Sequence, residues 1–252
     1  MKEIDLNCDM GEGFGAWKMG RDAELMDFVS SVNVACGFHA GDPSVIRRTV
    51  KTAIEKGVAV GAHPGYPDLQ GFGRRAMAIS PEEVYDMVLY QVAALQGICL
   101  SLGGRLHHVK PHGALYNQAA ADEKLSEAIA RAVLDLDEKL ILYGLSGSQL
   151  TSRAESVGLR SASEVFADRT YQPDGSLTSR KQPDALISST DLAVEQVIGM
   201  VRNQKVKTLP GPEINLKAET ICIHGDGENA LDFARTIKRK LEENGIRIRA
   251  IF

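Results

Sequence analysis

The sequence predicts an α/β protein whose parallel strands close, or nearly close, into a barrel. Two observations carry this. Seven or eight short apolar runs alternate with helix-patterned segments along the 252 residues, with no run of consecutive hairpins. That order builds a parallel sheet covered by helices. In addition, four of the six histidines stand at or just past the C-terminal edge of such a run: His39 in NVACGFHAGD, His63 in GVAVGAHPGY, His112 in LHHVKPHGALY and His224 in TICIHGDG. In parallel α/β folds that end of the sheet holds the sites, because the loops leaving the strands converge there. No linker or low-complexity tract divides the chain, so residues 1–252 are read as a single β/α-barrel catalytic domain.

The strands are expected at Ile4–Cys8, Val32–Cys36, Val58–Ala62, Leu106–Val109, Leu140–Tyr143, Ser161–Phe166 and Thr220–His224, with a last run Ile246–Ile251. Helices fall between them. Asp42 caps one that starts at Pro43, runs to Lys56 and stops at Gly57. Ser80-Pro81-Glu82-Glu83 supplies a cap, a first-turn proline and two acids for a second, in which Val84, Met87, Val88, Gln91, Val92 and Leu95 keep helical spacing. Glu228–Glu243 is the last, ending near Gly245, and Ser146-Gly147-Ser148 reads as a helix cap. Two connections are long, Pro64 to Ser80 and Ala167 to about Ala185. Loops of that length in one domain are commonly lids or binding loops.

Composition removes several classes. Net charge is −4, from 29 basic and 33 acidic residues without a basic block, which argues against nucleic acid as a partner. No run reaches the ~18 apolar residues expected of a membrane helix, and MKEIDLNCDMGEG lacks the apolar core of a secretion signal. Cys8, Cys36, Cys99 and Cys222 form no CxxC pair, so a reduced, cytoplasmic protein is expected.

The first strand alternates Asp5, Asn7 and Asp9 with Ile4, Leu6 and Cys8, although a central parallel strand is normally apolar on both faces. Either it is an edge strand, or Asn7 and Asp9 point into the barrel mouth, where a carboxylate needs a cation, a donor or a metal. Lys110, His39, His63 and His112 can meet it. Lys110 would neutralise an anion or, if burial lowered its pKa, act as a base. Glu164 lies in a strand leading to Asp168 and Arg169, and an arginine at such an entrance suits two-pronged capture of carboxylate or phosphate. A mobile cover is expected from Asp168 to Lys181, with Arg169 or Arg180 pairing only when an anion binds. Asp9, His39 and His63 also compose a carboxylate and two-imidazole metal set, though without local HxxxH spacing. Gly11-Glu12-Gly13-Phe14-Gly15 is no dinucleotide fingerprint, since Ala16 replaces its third glycine, and no P-loop is present.

DLNCDMGEGFG, SSVNVACGFHAGDP, GVAVGAHPGYPDLQGFGRR, HHVKPHGALYN, EVFADRTY and ICIHGDG, in this order along nearly the whole chain, resemble the LamB/YcsF family, the A subunits of bacterial 5-oxoprolinase. Asp184 and the pair Ser188-Ser189 depart from the family pattern. The resemblance implies a distorted (β/α) barrel of about seven parallel strands, similar to the glycoside hydrolase/deacetylase superfamily. It implies ATP-dependent opening of 5-oxo-L-proline (pyroglutamate) to L-glutamate together with partner subunits B and C, with Mg-bound ATP as co-substrate. Beside it stand two other readings, a metal-dependent deacetylase or amidohydrolase and a non-catalytic lactam-binding scaffold. The expected catalytic residues are Asp9, His39, His63, Lys110 and His112, and the expected substrate contacts are Asn7, Glu164, Asp168, Arg169, His224 and Asp226.

Overall fold

Alternation in the first strand sets up the barrel. In the computed structural model, which describes residues 2–209, 211–223 and 230–251, strand β1 (Lys2–Met10) places Ile4, Leu6, Cys8 and Met10 in the helix-covered core and buries Asp5 and Asn7 as well. It is a central strand, not an edge. The order continues α1 (Asp22–Leu25), β2 (Ser31–Ala35), α2 (Pro43–Glu55), β3 (Ala59–His63), α3 (Pro81–Ser101) and β4 (Leu106–Val109). Then come α4 (Gly113–Ala121), α5 (Glu123–Leu136), β5 (Ile141–Leu145), α6 (Gln149–Ser156) and β6 (Ser161–Phe166). The last part holds α7 (Thr190–Asn203), β7 (Lys205–Lys207), β8 (Glu213–Asn215), β9 (Thr220–Ile223), α8 (Ala230–Glu243) and β10 (Ile246–Ile248).

Seven parallel strands close the barrel in the order β1-β2-β3-β4-β5-β6-β9, with β9 returning to β1. The distortion lies at β1. Its first residues, Lys2 to Ile4, pair with β10, and only Asn7 to Met10 pair with β2. Helix punctuation follows the expected chemistry. Asp42 accepts from the amides of Ser44 and Val45, and Ser80 and Glu83 form a reciprocal capping box. Two features depart from the sequence expectation. Thr190–Asn203 is a helix capped by Ser189, and β7 and β8 form a short antiparallel hairpin outside the barrel. Helix α3 is also long and apolar enough, by length and composition, to cross a membrane. Its apolar stripe (Val84, Val88, Val92, Leu95 and Cys99) is instead buried against the barrel and α5.

The interior is polar in layers. At the bottom, the Asp5 carboxylate accepts from the hydroxyls of Ser30, Ser31, Thr220 and Tyr143 at 2.6–3.1 Å. Those donors offset the cost of burying it. Above, the His108 ring stacks on Tyr143 at 4.1 Å and its Nε2 lies 2.8 Å from Asn33 Oδ1. Gly61 on β3 makes room for this ring, since a Cβ there would overlap the imidazole itself. We therefore expect Gly61→Ala to destabilise the protein by about 2 kcal/mol or more, as overpacked cores do, because His108 must leave Asn33. A urea unfolding midpoint equal to wild type would contradict this.

Candidate active site

At the C-terminal ends of β1 to β4, polar side chains replace the apolar filling of the barrel. Lys110, just beyond β4, is their hub. Its Nζ lies 2.9 Å from Asp9 Oδ1, 3.0 Å from Glu164 Oε1, 3.3 Å from Asn7 Oδ1 and 3.0 Å from Cys222 Sγ. Burial alone would lower the Lys110 pKa, but Asp9, Cys222 and Glu164 together outweigh it and hold the ammonium well above its ordinary range. Lys110 is therefore a fixed cation at neutral pH and not a base. Asn33 Nδ2 completes the clamp on Asp9 Oδ1 at 2.8 Å. Asn7 and Glu164 lie at the level below, with their polar atoms engaged: Asn7 Nδ2 donates to Glu164 Oε1, and Tyr116 OH donates to Glu164 Oε2 at 2.7 Å. Burial, then the neighbouring Glu164, keeps Tyr116 a phenol.

Three histidines sit above this floor. His63 ends β3, His112 caps α4 and His39 lies in the loop after β2. His112 and His39 stack flat at 3.7 Å, and His63 meets both edge-on. Their tautomers follow from their outer partners. His63 Nδ1 is 2.7 Å from the carbonyl of Lys110, and His112 Nε2 is 2.8 Å from the carbonyl of Phe72. A carbonyl only accepts, so both of those nitrogens carry hydrogen and the opposite nitrogens of the neutral rings are bare. The bare His63 Nε2 and His112 Nδ1 face one another at 2.9 Å. Burial, then His63, lowers the His112 pKa to about 3, and burial also holds His39 well below its ordinary value. Asp9 Oδ2 is 3.3 Å from His63 Nε2, while Glu12 Oε1 is 3.4 Å from His39 Nε2 and 3.7 Å from His112 Nδ1. Gly65 and Gly73 admit the rings: a Cβ on either would come within 2.7 Å of His39, and Gly73 has φ +62°.

A pocket of about 750 Å³ opens over these groups. Asp9, Glu12, His63, Lys110 and His112 line its floor, and Arg74, Arg169, Arg180 and Lys181 stand in its walls. The turn leading into α6 borders it at Ser146, Gly147 and Ser148. Ser148 is the N-cap residue but makes no capping bond, and its buried Oγ has no partner among the described residues. Uncapped helix amides and basic walls favour an anion. In the 168–181 segment, the Arg169 guanidinium is bonded to backbone carbonyls. Arg169 Nη2 donates to the Thr178 carbonyl at 2.6 Å and Nε to the Ala185 carbonyl at 3.2 Å. Burial, then Arg180, lowers the Arg169 pKa to about 10, so these carbonyls satisfy a guanidinium that remains charged. The carbonyl of Asp168 accepts from Ile187 N, and this residue is outside the pocket lining. His224 and Asp226 lie outside the described residues.

Asp9, His39, His63, Lys110 and His112 are thus brought together as the strand-end placements predict, with Asn7 and Glu164 directly beneath. Sequence reasoning missed Glu12, Asn33 and Tyr116. Neither Cys8 nor Cys36 is set up as a nucleophile. Cys8 faces the core, and burial pushes the Cys36 thiol up to about 12.

The sequence model of the LamB/YcsF family matches residues 4–252. A protein from Bacillus licheniformis, named as the A subunit of 5-oxoprolinase, is 60% identical over 250 residues, covering 99% of each chain. The crystal structure of a lactam utilization protein from Thermus thermophilus superposes with a TM-score of 0.93 at 46% identity, over 99% of this chain and 100% of that one. A family 4 carbohydrate esterase from Streptomyces lividans shares the fold alone, with a TM-score of 0.51 at 14% identity over 100% of this chain and 93% of its own.

Proposed function

Because the chain belongs to the LamB/YcsF family, we propose that it is the subunit of an ATP-dependent 5-oxoprolinase that holds the lactam and hydrolyses it. In this reading 5-oxo-L-proline, ATP and water, with Mg²⁺, yield L-glutamate, ADP and phosphate, and subunits B and C supply the rest of the enzyme in the cytoplasm. The observation that carries the proposal is a full-length likeness to a protein of that name, joined to a pocket whose floor is acidic and imidazole-rich and whose walls are basic.

The chemistry of the substrate sets the demands. A five-membered lactam is a planar, unreactive amide. Transfer of the γ-phosphoryl group of ATP to its oxygen gives an imidate-like electrophile that water can attack; loss of the ring nitrogen then leaves an acyl phosphate, which a second water cleaves to the glutamate carboxylate and phosphate. Water then needs a base and the departing nitrogen needs a proton. Asp9, kept ionised by the Lys110 ammonium and Asn33, is the base in this scheme. Asp9, once it has taken that proton, can return it to the departing nitrogen, and His63 Nε2 stands 3.3 Å from its Oδ2. Asn7 and Glu164 position Lys110 from below. The N-terminal end of α6 at Ser148, with Arg74, Arg169, Arg180 and Lys181, receives the substrate carboxylate and the added phosphate.

Reconstitution tests the proposal. Glutamate release from 5-oxoproline with ATP is measured for this chain, for subunits B and C, and for all three. Turnover is expected only with all three. An unchanged rate from B and C without this chain refutes the reading.

A further inference from the structure

We propose that Glu12, His39, His63 and His112 form a binding site for one divalent transition-metal cation, zinc foremost. Each of the first four strands contributes one of them at the same end of the barrel. Glu12 follows β1, His39 follows β2, His63 ends β3 and His112 follows β4. One donor atom from each lies within 4.8 Å of all the others.

Hydrogen bonding makes the case stronger than proximity does. The carbonyls of Lys110 and Phe72 fix the tautomers of His63 and His112 so that two bare nitrogens face each other at 2.9 Å. Two lone pairs so close repel unless a cation lies between them. A proton there would satisfy that pair alone. It would leave His39, which is 1% exposed and has no hydrogen-bond partner at either nitrogen among the described residues. A metal accounts for all three rings. The outer carbonyl bonds are also the supports that metal-bound imidazoles ordinarily have.

Distances and donor types agree. Bonds of about 2.0–2.2 Å in a tetrahedral zinc site put ligand atoms roughly 3.3–3.6 Å apart, against 2.9, 3.4 and 3.7 Å here for His63–His112, His39–Glu12 and His112–Glu12. His39 packs against Gly65 and Gly73 without a hydrogen bond, so its ring pivots toward a cation at no bonding cost. Three imidazoles and a carboxylate favour zinc or its neighbours over magnesium or calcium, which prefer all-oxygen shells. Glu12 supplies the carboxylate, because its Oε1 lies near both His39 Nε2 and His112 Nδ1, whereas Asp9 reaches only His63 and is held through Oδ1 by Lys110 and Asn33.

The site does not depend on which reaction the pocket performs, so its test uses the full-length chain alone. Chelator-stripped protein is titrated with Zn²⁺ by calorimetry and with Co²⁺ by visible absorption. The expected result is saturation at one cation per chain, tetrahedral Co²⁺ bands and a higher thermal midpoint with Zn²⁺. Glu12→Gln and His112→Ala are each expected to weaken binding at least ~tenfold, the lower end of what even the outer supports of metal ligands contribute. No saturable uptake of either cation by the folded wild-type chain overturns the proposal, and so does uptake that both substitutions leave unchanged.

Discussion

Asp9→Asn is expected to lower turnover of the reconstituted enzyme at least ~100-fold, the lower end of general acid–base contributions, while the barrel stays folded. Asparagine keeps the shape of aspartate and one oxygen. That oxygen can still accept from Lys110 Nζ and Asn33 Nδ2, which bond Asp9 Oδ1 at 2.9 and 2.8 Å. The amide nitrogen then takes the place of Oδ2, 3.3 Å from the bare His63 Nε2, and can donate to it. Each of these three contacts thus has a successor, and what disappears is the negative charge and the ability to take a proton from water. The loss is expected in kcat, with KM for 5-oxoproline and the thermal midpoint near wild type. Near-normal kcat would place the water-activating group elsewhere, and a collapsed midpoint would make Asp9 structural.

The barrel is legible in the sequence because each strand is a separate apolar run and each has its own punctuation. His39, His63 and His112 mark the mouth for a reason the structure makes visible. An imidazole at a strand end needs space, and the nearby glycines provide it, as Gly65 and Gly73 do for His39. Asn33 escapes notice although SVNVA repeats the polar alternation of the first strand, with Ser31 and Asn33 in register beside Asn7 and Asp9. Glu12 is hidden in a glycine-rich stretch that draws attention to its backbone, and only the folded mouth brings its carboxylate to His39 and His112. Charge and length alone suggest a mobile cover at 168–181. Sequence carries no trace of the carbonyls of Thr178 and Ala185 that satisfy Arg169. Of the departures from the family pattern, Ser189 has a structural role as the cap of α7.

Lys110→Met is expected to abolish turnover and to remove about 3–5 kcal/mol of stability, the usual cost of stripping one partner from a buried ion pair. That is a large part of the roughly 5–15 kcal/mol typical of a domain. Methionine keeps the length of the side chain, so little of the loss comes from packing. The loss comes from Asp9 and Glu164, whose oxygens lie 2.9 and 3.0 Å from the ammonium and would then share a buried space without a cation. The folded variant can replace the ammonium by keeping a proton on one carboxyl. It then holds one more proton than its unfolded chain, whose carboxyls ionise near pH ~4. Stability of the variant accordingly falls as pH rises above that value. The deficit relative to wild type should be small in urea unfolding at about pH 5 and several kcal/mol at about pH 8. Adding Glu164→Gln should restore part of the stability lost at the higher pH, because it removes one of the two stranded charges, though the new amide oxygen must still accept from Tyr116. A deficit independent of pH, or a double variant less stable than Lys110→Met alone, would mean that Lys110 supports the barrel through packing and not through its charge.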